Sequence, residues 1–202
     1  ILNIISEFDF SRMDTSTRAH LIIEAMRRAY RDRAFYLGDP DFVDVPISKL
    51  ISKEHALDLA QTIDMEAATP IHKDDQLDGK LAWNEGAHTS HFSILDMNGN
   101  RAAVTQTINT WFGSGYMLPS SGLILNNEMD DFSAKPFAPN RYGLVHGEQN
   151  SIQPNKRMLS SMTPTFIESD RGLAILGTPG GARIITMVLL SILDYFDGGD
   201  AK

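Results

Sequence analysis

Apolar residues recur at helical spacing in the first third of the chain. Leu21, Ile22, Ala25, Met26 and Ala29 follow a possible N-cap at Asp14, Ser16 or Thr17, and Gly38 stops the run, which predicts one long helix. A second helix is predicted after Ser52, through Ala56, Leu57, Leu59 and Ala60 to Ile63. Between them Gly38-Asp39-Pro40-Asp41 is turn chemistry. Residues 64–88 lose all periodicity and read as a solvated connector. The period then becomes two. His91–Asp96 and Ala102–Ile108 alternate around Asn98-Gly99, a hairpin. Gly122–Asn126 reads as a short buried strand. Pro164–Glu168 and Leu173–Gly177 make a second hairpin, and Gly180-Gly181 opens an apolar helix from Ile184 to Phe196. Helices first, antiparallel strands next and a helix last predict an α+β fold, not alternating βαβ units.

Composition narrows the partners. The 202 residues carry 18 basic and 26 acidic side chains, a net charge of −8. Neither a nucleic-acid backbone nor an anionic membrane surface suits that balance. Residues 1–88 hold 10 basic and 16 acidic groups (net −6), and residues 89–202 hold 8 and 10 (net −2). The longest greasy run, Met187–Leu193, is too short to span a bilayer. With no cysteine there is no disulfide, thiolate metal site or cysteine nucleophile, and the redox compartment stays undecided. The chain opens at Ile1, not Met, which suggests processing or a fragment.

Several places carry candidate chemistry. Thr89 stands where the connector meets the first strand. Its hydroxyl is placed to attack the His88 carbonyl in an N→O acyl shift, and the freed α-amine, with an ordinary pKa of ~7.7–8.0, then serves as a local base. On the hydroxyl alone, the plainer reading of a polar residue starting a strand carries more weight. His88 and His91 are three apart, so on a strand they face opposite ways and do not converge on a metal. Asp74, Asp78, Gly79 and Glu85 match four positions of a calcium loop, but Gln76 is a weak ligand and no helix follows. The acids of Asn126–Asp131 suit a substrate ammonium or cap a solvated loop. Ser160-Ser161 offers two hydroxyls to a carboxylate, or is simply loop. Gly177–Arg183 runs from strand to helix with two adjacent glycines. It suits an oxyanion hole or a tight turn, and it is not a phosphate-binding loop.

Taken in order, Tyr36–Val43, Thr89–Ser93, Asn109–Gly115, Leu125–Ser133, Pro154–Pro164 and Pro179–Ile185 resemble the γ-glutamyltransferase (γ-glutamyl transpeptidase, glutathione hydrolase) family over nearly the whole chain. The resemblance implies an N-terminal-nucleophile hydrolase with an αββα sandwich of antiparallel sheets. It implies a precursor cut between His88 and Thr89, so that residues 1–88 end a large subunit and residues 89–202 begin a small catalytic one. Thr89 would attack the γ-glutamyl amide of glutathione or a related compound, and water or an acceptor amino acid or peptide would resolve the acyl-enzyme. Position by position, Thr107 matches the residue orienting the nucleophile. Asn109, Glu128 and Asp131 match the groups holding the substrate amine, with Glu128 falling where members carry Gln or Glu. Ser160 and Ser161 match the carboxylate binders, Gly180 and Gly181 the oxyanion hole, and Pro136–Gln149 with Tyr142 a lid loop. No cofactor or metal is implied.

The family's large subunit begins far upstream of Ile1 and supplies an Arg for the substrate carboxylate that nothing here matches, and its small subunit runs beyond Lys202. The chain therefore looks like a central piece whose partners include the rest of both subunits. A cephalosporin acylase or a poly-γ-glutamate-cleaving relative on the same scaffold is an alternative, as is an uncut, inert folded module. Family resemblance suggests a periplasmic or secreted parent.

Overall fold

A computed structural model describes residues 1–70, 88–138 and 145–199. The possible calcium loop, Tyr142 and the middle of the lid-like segment fall outside these residues. The described chain forms two units, one of residues 1–70, 132–138 and 145–159, the other of residues 88–131 and 160–199.

The first unit is helical: α1 (Leu2–Ile5), α2 (Thr15–Tyr36), α3 (Ile47–Leu50) and α4 (Lys53–Gln61). Asp14 caps α2 by accepting from the Thr17 amide at 2.9 Å, and Ser52 caps α4 by accepting from the His55 amide at 3.1 Å. Such caps satisfy amides that have no partner within the helix. Leu21 and Ala25 are fully buried, but the same face of α2 also buries Glu24 and Arg28, which helical periodicity did not predict. The two charges are buried together. Arg28 reaches Glu24 at 2.6 Å, and Arg27 reaches it at 2.9 Å. Burial raises the Glu24 pKa, but hydrogen bonds from Thr69, Arg28 and Arg27 outweigh it and bring it to about 2. Arg28 also donates to the Thr62 carbonyl at 2.6 Å and to the Leu59 carbonyl at 3.2 Å, closing the C-terminal end of α4.

Helix α2 ends at Tyr36, before Gly38. The glycine serves a different need, because a Cβ there would overlap the Gln149 carbonyl. In the turn that follows, buried Asp39 accepts from the Arg157 amide at 2.8 Å and from its guanidinium Nε at 3.0 Å. Arg157 holds the Asp39 carboxyl well below the usual carboxylate range. The described ends of the lid-like segment close on each other. Phe137 donates its amide to the His146 carbonyl at 2.8 Å and packs on Phe35, and Gly147 donates to the Ala34 carbonyl at 2.7 Å. His146 is buried beside Arg33, 3.0 Å from Nδ1. Burial, then the guanidinium charge, pushes its pKa down to about 4, so the imidazole is neutral and accepts the bond.

The second unit holds two antiparallel hairpins and a helix: β1 (Thr89–Leu95) with β2 (Arg101–Thr107), β3 (Thr165–Ser169) with β4 (Gly172–Leu176), and α5 (Ile184–Phe196). Thr89 pairs with Thr107 and His91 with Thr105. Gly99 takes φ +82°, and Asp96 accepts from the Asn98 and Asn100 amides at 2.8 Å, which closes the first turn. The His91 ring of β1 covers Gly177, just past the end of β4, so closely that no Cβ would fit. Helix α5 lays Ile184, Val188 and Ile192 against Ile167 of β3, with Ala174 and Leu176 beside them.

One predicted element fails. Gly122–Asn126 is not a buried strand; it makes a single isolated bridge, Met117 to Ile124, and Leu123 is 63% exposed. Gly115 and Gly122 both take positive φ and bend the segment between them, so the ladder never extends. The apolar run alone could not reveal that.

Candidate active site

The strand pairing of Thr89 with Thr107 brings two hydroxyls to the mouth of the first hairpin. Thr89 is buried. The Thr107 hydroxyl accepts from the Asn109 amide at 2.9 Å, so its own proton is free to point at the His88 carbonyl oxygen, 3.4 Å away. Asn109 makes this turn in the left-handed region at φ +75°, which asparagine tolerates better than most residues. Its side-chain amide donates to the Asn127 carbonyl at 3.0 Å. Asn127 in turn accepts at its own Oδ1 from the Thr110 amide at 3.2 Å. Asn127 thus locks the loop after β2 onto the acidic segment, a role that its residue type and spacing did not reveal.

That segment forms a 3₁₀ helix, Glu128–Asp131. At three residues per turn, side chains three apart lie on the same side, so Glu128 and Asp131 stand together. The Asn126 side chain starts the turn by accepting from the Glu128 amide at 3.0 Å. The buried Glu128 Oε1 has no hydrogen-bond partner. Burial first, then the adjacent Asp131, pushes the Glu128 pKa up to about 7. A cation placed between these two acids would relieve both effects.

A shallow open cleft gathers these groups. Thr89, Thr107, Asn109, Glu128 and Asp131 line it together with Ser160, Ser161, Met162, Gly181, Ala182 and Ile184. All belong to the second unit. Gly181 begins the short 3₁₀ turn that leads into α5, and its φ of +56° follows Gly180 at φ +142°. Gly180 itself does not line the cleft; its carbonyl accepts from the Arg183 amide at 3.1 Å and closes the turn. Met162, Ala182 and Ile184 carry no chemical signature and were not singled out from sequence.

The two histidines go separate ways. His91 bonds to the Thr105 and Ser93 hydroxyls at 2.7 and 3.1 Å, and His88 packs on Trp111. Among the described residues no group of three metal-ligating side chains comes together.

The arrangement puts a buried alcohol beside a peptide carbonyl, an acidic pair for a cation, paired hydroxyls for a carboxylate, and the amides of a glycine turn. A family model described as gamma-glutamyltranspeptidase matches residues 1–201. The glutathione hydrolase proenzyme of Escherichia coli (strain K12) is 46% identical over 202 aligned residues, covering 98% of this chain and 34% of that protein. The chain thus spans about a third of the length of the curated relatives it matches. A solved acivicin-inhibited gamma-glutamyltranspeptidase, in which the C-terminus has roles in autoprocessing and catalysis, is 48% identical with a TM-score of 0.53, over 55% of this chain and 60% of its own. A cephalosporin acylase from Bacillus halodurans shares the fold over 98% of this chain and 33% of its own, at 24% identity and a TM-score of 0.71. With the family model matched almost from end to end, the chain belongs to the gamma-glutamyltranspeptidase family.

Proposed function

We propose that the chain is the central part of a γ-glutamyltransferase and contains the point at which its precursor cuts itself. Residues 1–88 then end the large subunit and residues 89–202 begin the small one. The observation that carries this reading is the Thr107 hydroxyl directed at the His88 carbonyl, in the same cleft as Thr89, the acidic pair and Ser160-Ser161. The proenzyme state of the Escherichia coli relative and the autoprocessing of the solved one support it. The αββα sandwich is part of the same proposal. Phe92 and Ile94 of β1 and Met187 and Leu190 of α5 are all exposed apolar side chains, as expected if further layers of the parent cover them.

In self-cleavage, Thr89 Oγ1 bonds to the His88 carbonyl carbon as the hydroxyl proton passes to the departing nitrogen. The carbon–nitrogen bond breaks, leaving an ester and a free α-amine. Water then cleaves the ester to the His88 carboxylate and restores the Thr89 hydroxyl. In turnover, that amine takes the hydroxyl proton as Thr89 Oγ1 bonds to the γ-glutamyl carbonyl carbon and gives it to the leaving amine as the amide C–N bond breaks; the acceptor then displaces Thr89 from the acyl ester and the hydroxyl is restored. Glu128 and Asp131, with Asn109 beside them, hold the substrate ammonium, and Ser160 and Ser161 take its carboxylate, so each charge leaving water gains a partner. The Gly181 amide, in the glycine turn that lines the cleft, serves the developing oxyanion. Glutathione is the donor, and water or an amino acid or peptide is the acceptor. While the His88–Thr89 bond is intact the amine does not exist, so the uncut chain is expected to be inert.

Intact-mass analysis of the full-length parent tests this, with two chains expected, the second beginning at Thr89. The cleaved enzyme should release p-nitroaniline from γ-glutamyl-p-nitroanilide and leave glutaryl-p-nitroanilide largely untouched, because the glutaryl end has no ammonium for the acidic pair. Preference for the glutaryl compound would favour an acylase.

The raised Glu128 pKa gives a pH dependence. Below about 7 the Glu128 carboxyl is protonated and offers the ammonium no charge; above it the carboxylate adds one. Inhibition by glutamate should therefore tighten as pH rises from 6 toward 8, by up to about tenfold. Glu128→Gln, which cannot titrate, should flatten the profile.

A further inference from the structure

The loop after β2 does more than carry Asn109. Trp111 sits on a tightly held turn: the Thr110 hydroxyl donates to the Gly113 carbonyl at 2.7 Å, the Gly113 amide donates to the Thr110 carbonyl at 2.9 Å, and Asn127 holds Thr110 from outside. Gly113 takes φ +52° and lies so close to the Leu125 carbonyl that a Cβ would collide with it. The turn has little room to shift. From this platform the Trp111 ring lies against the His88 imidazole, with ring centroids 4.4 Å apart and planes tilted by 59°. Trp111 is 68% exposed, so His88 covers part of a ring otherwise open to water.

We infer that Trp111 is a positioning residue for self-cleavage: it grips the side chain on the acyl side of the scissile bond and sets which way the His88 carbonyl faces. The inference rests on the cleavage mechanism proposed for this chain. A residue in a connector has two soft backbone torsions and a rotating side chain. The N→O shift needs one orientation, with the carbonyl carbon open to Thr89 Oγ1 and the oxygen toward Thr107. The 3.4 Å approach of Thr107 alone is long and holds only the oxygen. The tilted ring contact adds a second point on the same residue, and two points fix a rotation that one leaves free. The partner of Trp111 belongs to the segment that ends at the cut. The ring pair therefore acts on maturation, and it couples the identity of residue 88 to that of residue 111.

The test is the rate of self-cleavage of the full-length parent, followed by denaturing gel from the first moments after refolding. Trp111→Ala should slow cleavage by about two- to tenfold, the effect of removing one aromatic pair from the reacting conformation. Trp111→Phe should restore most of the rate. His88→Ala should be slow as well, and the Trp111→Ala/His88→Ala double variant should be no slower than the slower single variant, because both break the same ring pair. Thermal melting of each uncut variant in a Thr89→Ala background separates loss of fold from loss of positioning. Wild-type rates in Trp111→Ala, or fully multiplicative effects in the double variant, would overturn the inference while leaving the cleavage mechanism intact. Cleavage in Thr89→Ala, by contrast, would remove the mechanism on which it rests.

Discussion

Thr89→Ala in the full-length parent is expected to yield one uncut chain with no measurable γ-glutamyl transfer. The substitution acts in three ways. It removes the alcohol that attacks the His88 carbonyl, so no ester forms, and it removes the nucleophile that turnover needs. It also keeps the α-nitrogen of residue 89 in an amide, which cannot act as a base. The structural cost is small by comparison. Thr89 is the first residue of β1 and its pairing with Thr107 runs through the backbone, so the hairpin survives the loss of a hydroxyl and a methyl. Thr89→Ser should cleave, but more slowly. Serine keeps the oxygen, yet without the second branch at Cβ its χ1 is less restricted, and the oxygen spends less time facing the carbonyl. The decisive readouts are the mass of the product and the first residue of any second chain. Two chains from Thr89→Ala would place the cut, or the nucleophile, elsewhere.

The parts of this fold that were legible in the sequence are those whose causes are local. Asp14 and Ser52 cap the helices they precede because the groups they satisfy lie three residues away. The β1–β2 turn follows from Asn98-Gly99, and α5 from an unbroken apolar run after a glycine pair. What remained hidden depends on partners distant along the chain. Glu24 and Arg28 pair with each other on a buried face, but their other hydrogen bonds come from partners more than thirty residues on: Thr62 accepts from Arg28 and Thr69 donates to Glu24. Gly38 looked like a helix stop, but its requirement is set by the backbone at Gln149. The same division runs through the site. Spacing alone left the acids of Asn126–Asp131 as either chemistry or a cap. Only the 3₁₀ turn puts Glu128 and Asp131 side by side, where burial and then the adjacent Asp131 lift the Glu128 pKa. Residue-by-residue resemblance singled out Thr107, Ser160 and Ser161, which line the cleft, yet it attached no role to Asn127 or Trp111, whose contacts only the structure shows.

Thr107→Val is expected to slow self-cleavage by 10²–10³-fold, with Thr107→Ser close to wild type. Valine keeps the branched shape and the strand pairing, so the difference isolates one oxygen and its proton. That proton has few places to go. The oxygen already accepts from the Asn109 amide at 2.9 Å, and the hydroxyl's remaining direction leads to the His88 carbonyl oxygen. At 3.4 Å the bond is weak while the carbonyl is neutral. As Thr89 adds to the carbon, the oxygen becomes an alkoxide and draws the hydroxyl closer, so the bond strengthens in the transition state and not before it. Loss of a single donor of that kind costs ~2.7–4 kcal/mol of barrier, which is the fold-change given. Valine also leaves the Asn109 amide without its acceptor, a stability cost of about 1–3 kcal/mol that melting measures independently of rate. A Thr107→Val parent that is destabilised yet cleaves at the wild-type rate would show that the hydroxyl only holds the loop. A slow but stably folded one places it at the reacting carbonyl.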